Sequence, residues 1–91
     1  MITLGLPYAN VVLEMAAIES WLVEAGLKPG VVMKIINRES QAKIDNVYIV
    51  YGFTEETAAM QFRLTFNAKL IELDEEELQY MTRSIAKYEC N

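Results

Sequence analysis

The chain has 91 residues, enough for one domain that hides only about 60 to 65% of the surface its unfolded form would expose. Hydrophobic residues make up 53% and prolines number two, which excludes the polar, proline-rich composition of chains that stay disordered. Thirteen acidic against eight basic side chains give a net charge of −5, so the average field repels nucleic-acid phosphates and offers nothing to anionic lipid.

In chain order, Ile2 to Leu6 is short and apolar and is stopped by Pro7, as a buried strand would be. The start carries no positive n-region or small-residue cleavage site, and the apolar run from Val11 to Ile18 is broken by Glu14, so neither a signal peptide nor a membrane span is expected. From Asn10, an acceptable N-cap, the stretch Val11 to Ala25 has no proline or glycine and ends at Gly26, which predicts a helix with a glycine C-cap and Leu27 as its hydrophobic contact. Lys28-Pro29-Gly30 reads as a turn. Val31 to Asn37 and Val47 to Phe53 are rich in β-branched and aromatic residues, and the polar segment between them makes a hairpin with a long loop.

Thr54 reads as the next N-cap, with Glu55 and Glu56 in the first turn, where carboxylates suit the positive helix end. Met60 to Phe66 alternates with period two, as a strand does, yet Ala58, Phe62 and Phe66 also fall on one helical face. A helix through Phe66 is expected, because Thr54 to Met60 alone is too short to hold, and Asn67 then serves as its C-cap. Leu70 to Leu73 makes a last short strand. Asp74 with Glu77 forms a capping-box start for a third helix, whose apolar face is Leu78, Met81, Ile85 and Tyr88. It is expected to run to the chain end.

The order β-α-β-β-α-β-α across residues 1–91 predicts a single α+β domain of the ferredoxin-like split βαβ type with an added C-terminal helix. Two helices then stack on one face of a four-stranded sheet, and the other face needs cover from the added helix or a second subunit. Residues 52–66, Gly-Phe-Thr-Glu-Glu-Thr-Ala-Ala-Met-Gln-Phe-Arg-Leu-Thr-Phe, resemble a run in small uncharacterised tailed-phage proteins, in which an aromatic strand end leads through acidic residues into Ala-Met-x-Phe-Lys-Leu. Here Arg63 stands in place of that lysine, and Phe66-Asn67 in place of a common Trp-Gly. The resemblance implies a helix through Phe66 and a viral origin, and it assigns no site.

There is no histidine, which removes the commonest general base, the commonest zinc ligand and the Ser-His and Cys-His nucleophile arrangements. Cys90, next to Glu89 near the end, has no internal cysteine partner and lacks the electropositive setting of a nucleophile. A single cysteine suits a reducing compartment, and cytoplasm is the default expectation. The glycines around Pro29 lack phosphate-loop spacing, and Asp74 to Glu77 suits helix capping better than a cation loop. No catalytic, cofactor or metal site is expected.

Two surfaces remain for a partner. On the first helix, 100° per residue predicts a buried face of Val11, Val12, Met15, Ile18, Leu22 and Val23, leaving Leu13, Ala17 and Trp21 on the side of Glu14, Ser20 and Glu24. Tryptophan is enriched at binding hot spots, so this side meets either a partner or the third helix of the same chain. Tyr48 and Tyr51, on opposite sides of the third strand, are read as core or interface packing. A noncatalytic protein-binding or structural accessory module, forming a homodimer or else bound to another protein, is therefore the leading expectation. The alternative is a nucleic-acid-binding module using the sheet face and a basic strip of Lys34, Arg38, Lys43 and Lys69, although net charge makes nucleic acid a poor partner.

Overall fold

The computed structural model describes residues 1–35 and 47–89, with residues 84–89 described by backbone alone. The fold is α+β, and the described residues form three helices and a four-stranded antiparallel sheet in the order β2-β3-β1-β4. The strands are β1 (Ile2–Pro7), β2 (Gly30–Ile35), β3 (Val47–Phe53) and β4 (Lys69–Leu70), and the helices are α1 (Tyr8–Ala25), α2 (Glu56–Phe66) and α3 (Glu75–Glu89). The central pair, β1 and β3, sets Leu4 opposite Tyr51 and Leu6 opposite Ile49, while β2 sets Val31 opposite Tyr51 and Met33 opposite Ile49. Side chains alternate across a strand, so these residues share one face, and Gly5, Val50 and Tyr48 share the other.

Several expectations shift by a few residues for local reasons. Helix α1 begins at Tyr8, before the expected Val11, because Pro7 has no N–H to satisfy and its φ of −56° and ψ of 139° deliver the chain straight into the first turn. Asn10 therefore lies inside the helix and caps nothing. Helix α2 starts at Glu56 with Glu55 in extended geometry, so Thr54 falls one residue short of the N-cap. The stretch Met60 to Phe66 is helical. Strand β4 holds only Lys69 and Leu70; beyond them Ile71 N–H still donates to Thr3 C=O at 3.1 Å, and the Thr3 hydroxyl donates to Ile71 C=O. The hairpin loop falls outside the described residues.

The caps read from the sequence at the other helix ends are formed. Gly26 takes left-handed geometry (φ 69°) and donates to Val23 C=O, while Leu27 N–H reaches Leu22 C=O at 2.9 Å, the double bond of a Schellman ending. Asn67 does the same job for α2 at φ 55°. At the head of α3, Asp74 Oδ1 accepts from Glu77 N–H at 2.8 Å and Glu77 Oε1 accepts from Asp74 N–H at 3.0 Å, which satisfies two otherwise orphaned donors reciprocally.

Two apolar clusters sit on the two sheet faces. Helices α1 and α2 pack on β1 and β3 around Leu4, Leu6, Ile18, Phe53 and Phe62. Helix α3 packs on β2 from the opposite side, closing Met81 over Val50, Ile71 and Leu73. The second face thus gets its cover from the added helix. That approach depends on the cross-strand pair Gly30 and Gly52. A Cβ on Gly30 would stand 2.5 Å from Met81 Sδ and 2.9 Å from the Met81 carbonyl, and one on Gly52 would stand 2.7 Å from Met81 Cγ.

Gly30→Ala is expected to destabilise the fold by about 1–3 kcal/mol in urea titration, since overpacking here meets a backbone carbonyl that cannot swing away. Gly52→Ala meets only the flexible side chains of Met81 and Met1, so its cost should be smaller and should shrink further in a Met81→Ala background. Equal penalties in both backgrounds would contradict this account of how α3 is seated.

Candidate interaction groove

Helix α1 is apolar around most of its circumference, so its orientation is decided by what it packs against. Val11 and Ile18 are buried, and Trp21 and Leu22 are half-buried. The Trp21 ring meets Phe62 edge-on at 5.6 Å and Phe66 at 6.0 Å, both supplied by α2. Neither sequence expectation for Trp21 foresaw this neighbour: α2, and not α3, covers its ring. Leu13 and Ala17 stay exposed, with Leu13 at 85%. Leaning toward α2 rotates the other flank of α1 outward, and Val12, Met15 and Val23, expected in the core, are exposed instead.

That flank faces β2 across an apolar groove of about 640 Å³. Met15, Val12 and Val23 form one wall, Val31 the other, and Ile49 and Tyr51 the floor, while Glu19 and Lys28 supply one charge of each sign. Further along β2, Met33 and Ile35 continue the row of Val31 on the same face and are also exposed. Tyr51 is buried, with its ring 5.1 Å from Phe62. Burial, and secondarily the nearby Glu19 carboxylate, pushes its phenol above the usual value of 10.0, so the ring stays neutral at ordinary pH and acts as packing with a polar tip.

On the opposite face the structure brings together two members of the alternative site, Lys34 and Lys69, on either side of Tyr48. Lys34 and Tyr48 are cross-strand partners, and Lys69 Nζ lies 4.5 Å from the centre of the Tyr48 ring. Lys34 is engaged: it donates to Glu77 Oε1 at 2.8 Å and to Glu72 C=O at 3.1 Å, which ties the edge strand to the α3 cap. Arg38, Lys43 and Cys90 lie outside the described residues. Among the described residues no group of three or more histidine, cysteine, aspartate or glutamate side chains is placed to hold a metal ion, and no helix is long and apolar enough to cross a membrane. Comparison with family models, curated proteins and solved structures finds no match to the chain.

The groove was missed by sequence reasoning because its walls are ordinary helix and strand residues. The available signal was an excess of apolar positions on α1 over what one core face accommodates.

Raising the pH past 10 should weaken the fold through Tyr51. The unfolded phenol ionises near its ordinary value while the folded one holds its proton, so stability is unaffected below that value and falls above it. Tyr51→Phe should therefore flatten the alkaline limb of a stability-versus-pH curve measured by urea unfolding. An alkaline limb identical to wild type would contradict the burial of this phenol.

Proposed function

We propose that the chain is a noncatalytic protein-binding module that docks its partner on the α1–β2 groove. The observation that carries this reading is the row of exposed apolar side chains on both walls, Met15 at 49%, Val23 at 78% and Val31 at 46%, which Met33 at 60% continues along β2 beyond the groove. A contiguous apolar patch that remains after a chain has built its own core is characteristic of an interaction surface. The lining carries a single lysine and a single glutamate, a balance that suits a neutral, apolar protein surface more than a polyanion or a charged small molecule. The lack of histidine and the apolar character of the groove lining support a role without chemistry.

The strand order and its antiparallel neighbours support the finer reading of the fold as a ferredoxin-like split βαβ plait with an added C-terminal helix. The likeness of residues 52–66 to small tailed-phage proteins supports a phage-encoded accessory role in a cytoplasm. The nucleic-acid alternative draws on Lys34, Tyr48 and Lys69 sharing a face. It is the weaker reading, because Lys34 is already paired with Glu77 and the net charge is −5.

The test is affinity capture by immobilised full-length chain, compared with Met15→Lys and Val23→Lys in the groove and with Leu64→Lys, a 79% exposed position on α2. The expected result is a protein whose recovery falls at least tenfold, or by about 1.4 kcal/mol of binding, with either groove variant and is unchanged with Leu64→Lys. Recovery indifferent to the groove variants, or enhanced binding of labelled single-stranded nucleic acid at low salt that depends on Lys69, would overturn the reading.

A further inference from the structure

Resting on that reading, we infer that the groove's occupant is a second copy of this chain, joined through antiparallel pairing of β2 with β2 about a two-fold axis. The two edges of the sheet are treated differently. Strand β4 is blunted: it is two residues long and carries Lys69. Strand β2 has six residues, and among the described residues β3 is its one ladder partner. Native sheets protect long edges with proline, bulges or outward charges. Strand β2 has no proline, and its one charge, Lys34, is drawn onto Glu77 on the α3 side of the sheet. The open backbone edge therefore coincides with the groove on the other side.

An occupant must satisfy both features. A lone extended peptide would pair the edge and leave the α1 wall bare; a lone helix would fill the groove and leave the edge unpaired. A second copy supplies a strand and an apolar helix flank at the same spacing, because it is the same molecule. A two-fold axis perpendicular to the sheet keeps each face on its own side, and only registers that set a residue opposite a residue of the same face are then allowed. Centring on Met33 meets that condition and places Val31 of one copy opposite Ile35 of the other, all on the groove face. The two four-stranded sheets become one of eight, with the two α1 flanks meeting above the join.

The area is adequate. Val12, Met15, Val23, Val31, Met33 and Ile35 are between 46% and 78% exposed. At on the order of 100 Å² apiece they leave roughly 600 Å² bare, at the upper limit for a lone monomer and near the ~800 Å² per partner of a stable interface.

The test is sedimentation equilibrium of the full chain over a roughly hundredfold concentration range, with Met33→Lys as the disrupting variant and circular dichroism to confirm that it folds. The expected mass is twice the 10.4 kDa of one chain for wild type and falls to one chain for Met33→Lys. Met33→Cys in a Cys90→Ser background should be joined to itself by a short bis-maleimide, which decides the matter should the lysine variant misfold. A dimer that survives Met33→Lys, or a dimeric Met33→Cys variant that the bis-maleimide fails to join, would overturn the β2 pairing. A wild-type monomer whose protein capture still depends on Met15 would overturn the second copy alone, whereas a monomer with groove-independent capture would remove the underlying reading as well.

Discussion

The Phe62 ring is fully buried and meets four other aromatic rings, Trp21, Tyr51, Phe53 and Phe66, at centroid distances between 5.0 and 5.6 Å. Two of these come from β3, one from α2 itself and one from α1. Tilted and edge-on pairs of this kind contribute about 0.5–1.5 kcal/mol each beyond the area they bury, and truncating a buried phenylalanine to alanine typically costs about 3–5 kcal/mol. Phe62 is thus the point at which the two helices and the sheet are held together. Ala58 and Ala59, also buried on α2, keep that helix close enough to the strands for the ring to reach them.

Anchoring α1 through Trp21 has a geometric consequence. A helix drawn toward α2 and seated over β1 and β3 leaves β2 with little cover on that face, and Val31, Met33 and Ile35 stand exposed. On the reverse face β2 is well held, by α3, by the Gly30–Gly52 clearance for Met81 and by the Lys34 clasp onto the α3 cap. The edge strand is therefore rigidly presented from behind and bare in front. This asymmetry makes the groove a consequence of how the core packs, with no separate device needed to create it.

Much of this was legible from local signals. Gly26 and Asn67 as helix ends, the Asp74–Glu77 box and the hairpin strands all follow from backbone chemistry acting over a few residues. The orientation of α1 was not legible, because Val12, Leu13, Met15 and Val23 leave almost no polar face to choose by, and the choice is made by Phe62 and Phe66 from a helix far along the chain. The early start of α1 was hidden by Asn10, a plausible cap that Pro7 made unnecessary. The glycine pair under Met81 carries no local signal either, since its reason lies in a cross-strand register and a helix from the far end of the chain.

The central claim is that the Trp21 contact with α2 sets the pose of α1. The most direct measurement is a nuclear Overhauser spectrum of the full chain with the aromatic rings selectively protonated. Cross-peaks from the Trp21 indole to both the Phe62 and Phe66 rings are the result this account requires. An indole that shows neither, in a chain whose Phe62 still contacts Tyr51 and Phe53, would mean that α1 is held by something else and that the groove beside β2 has a different origin.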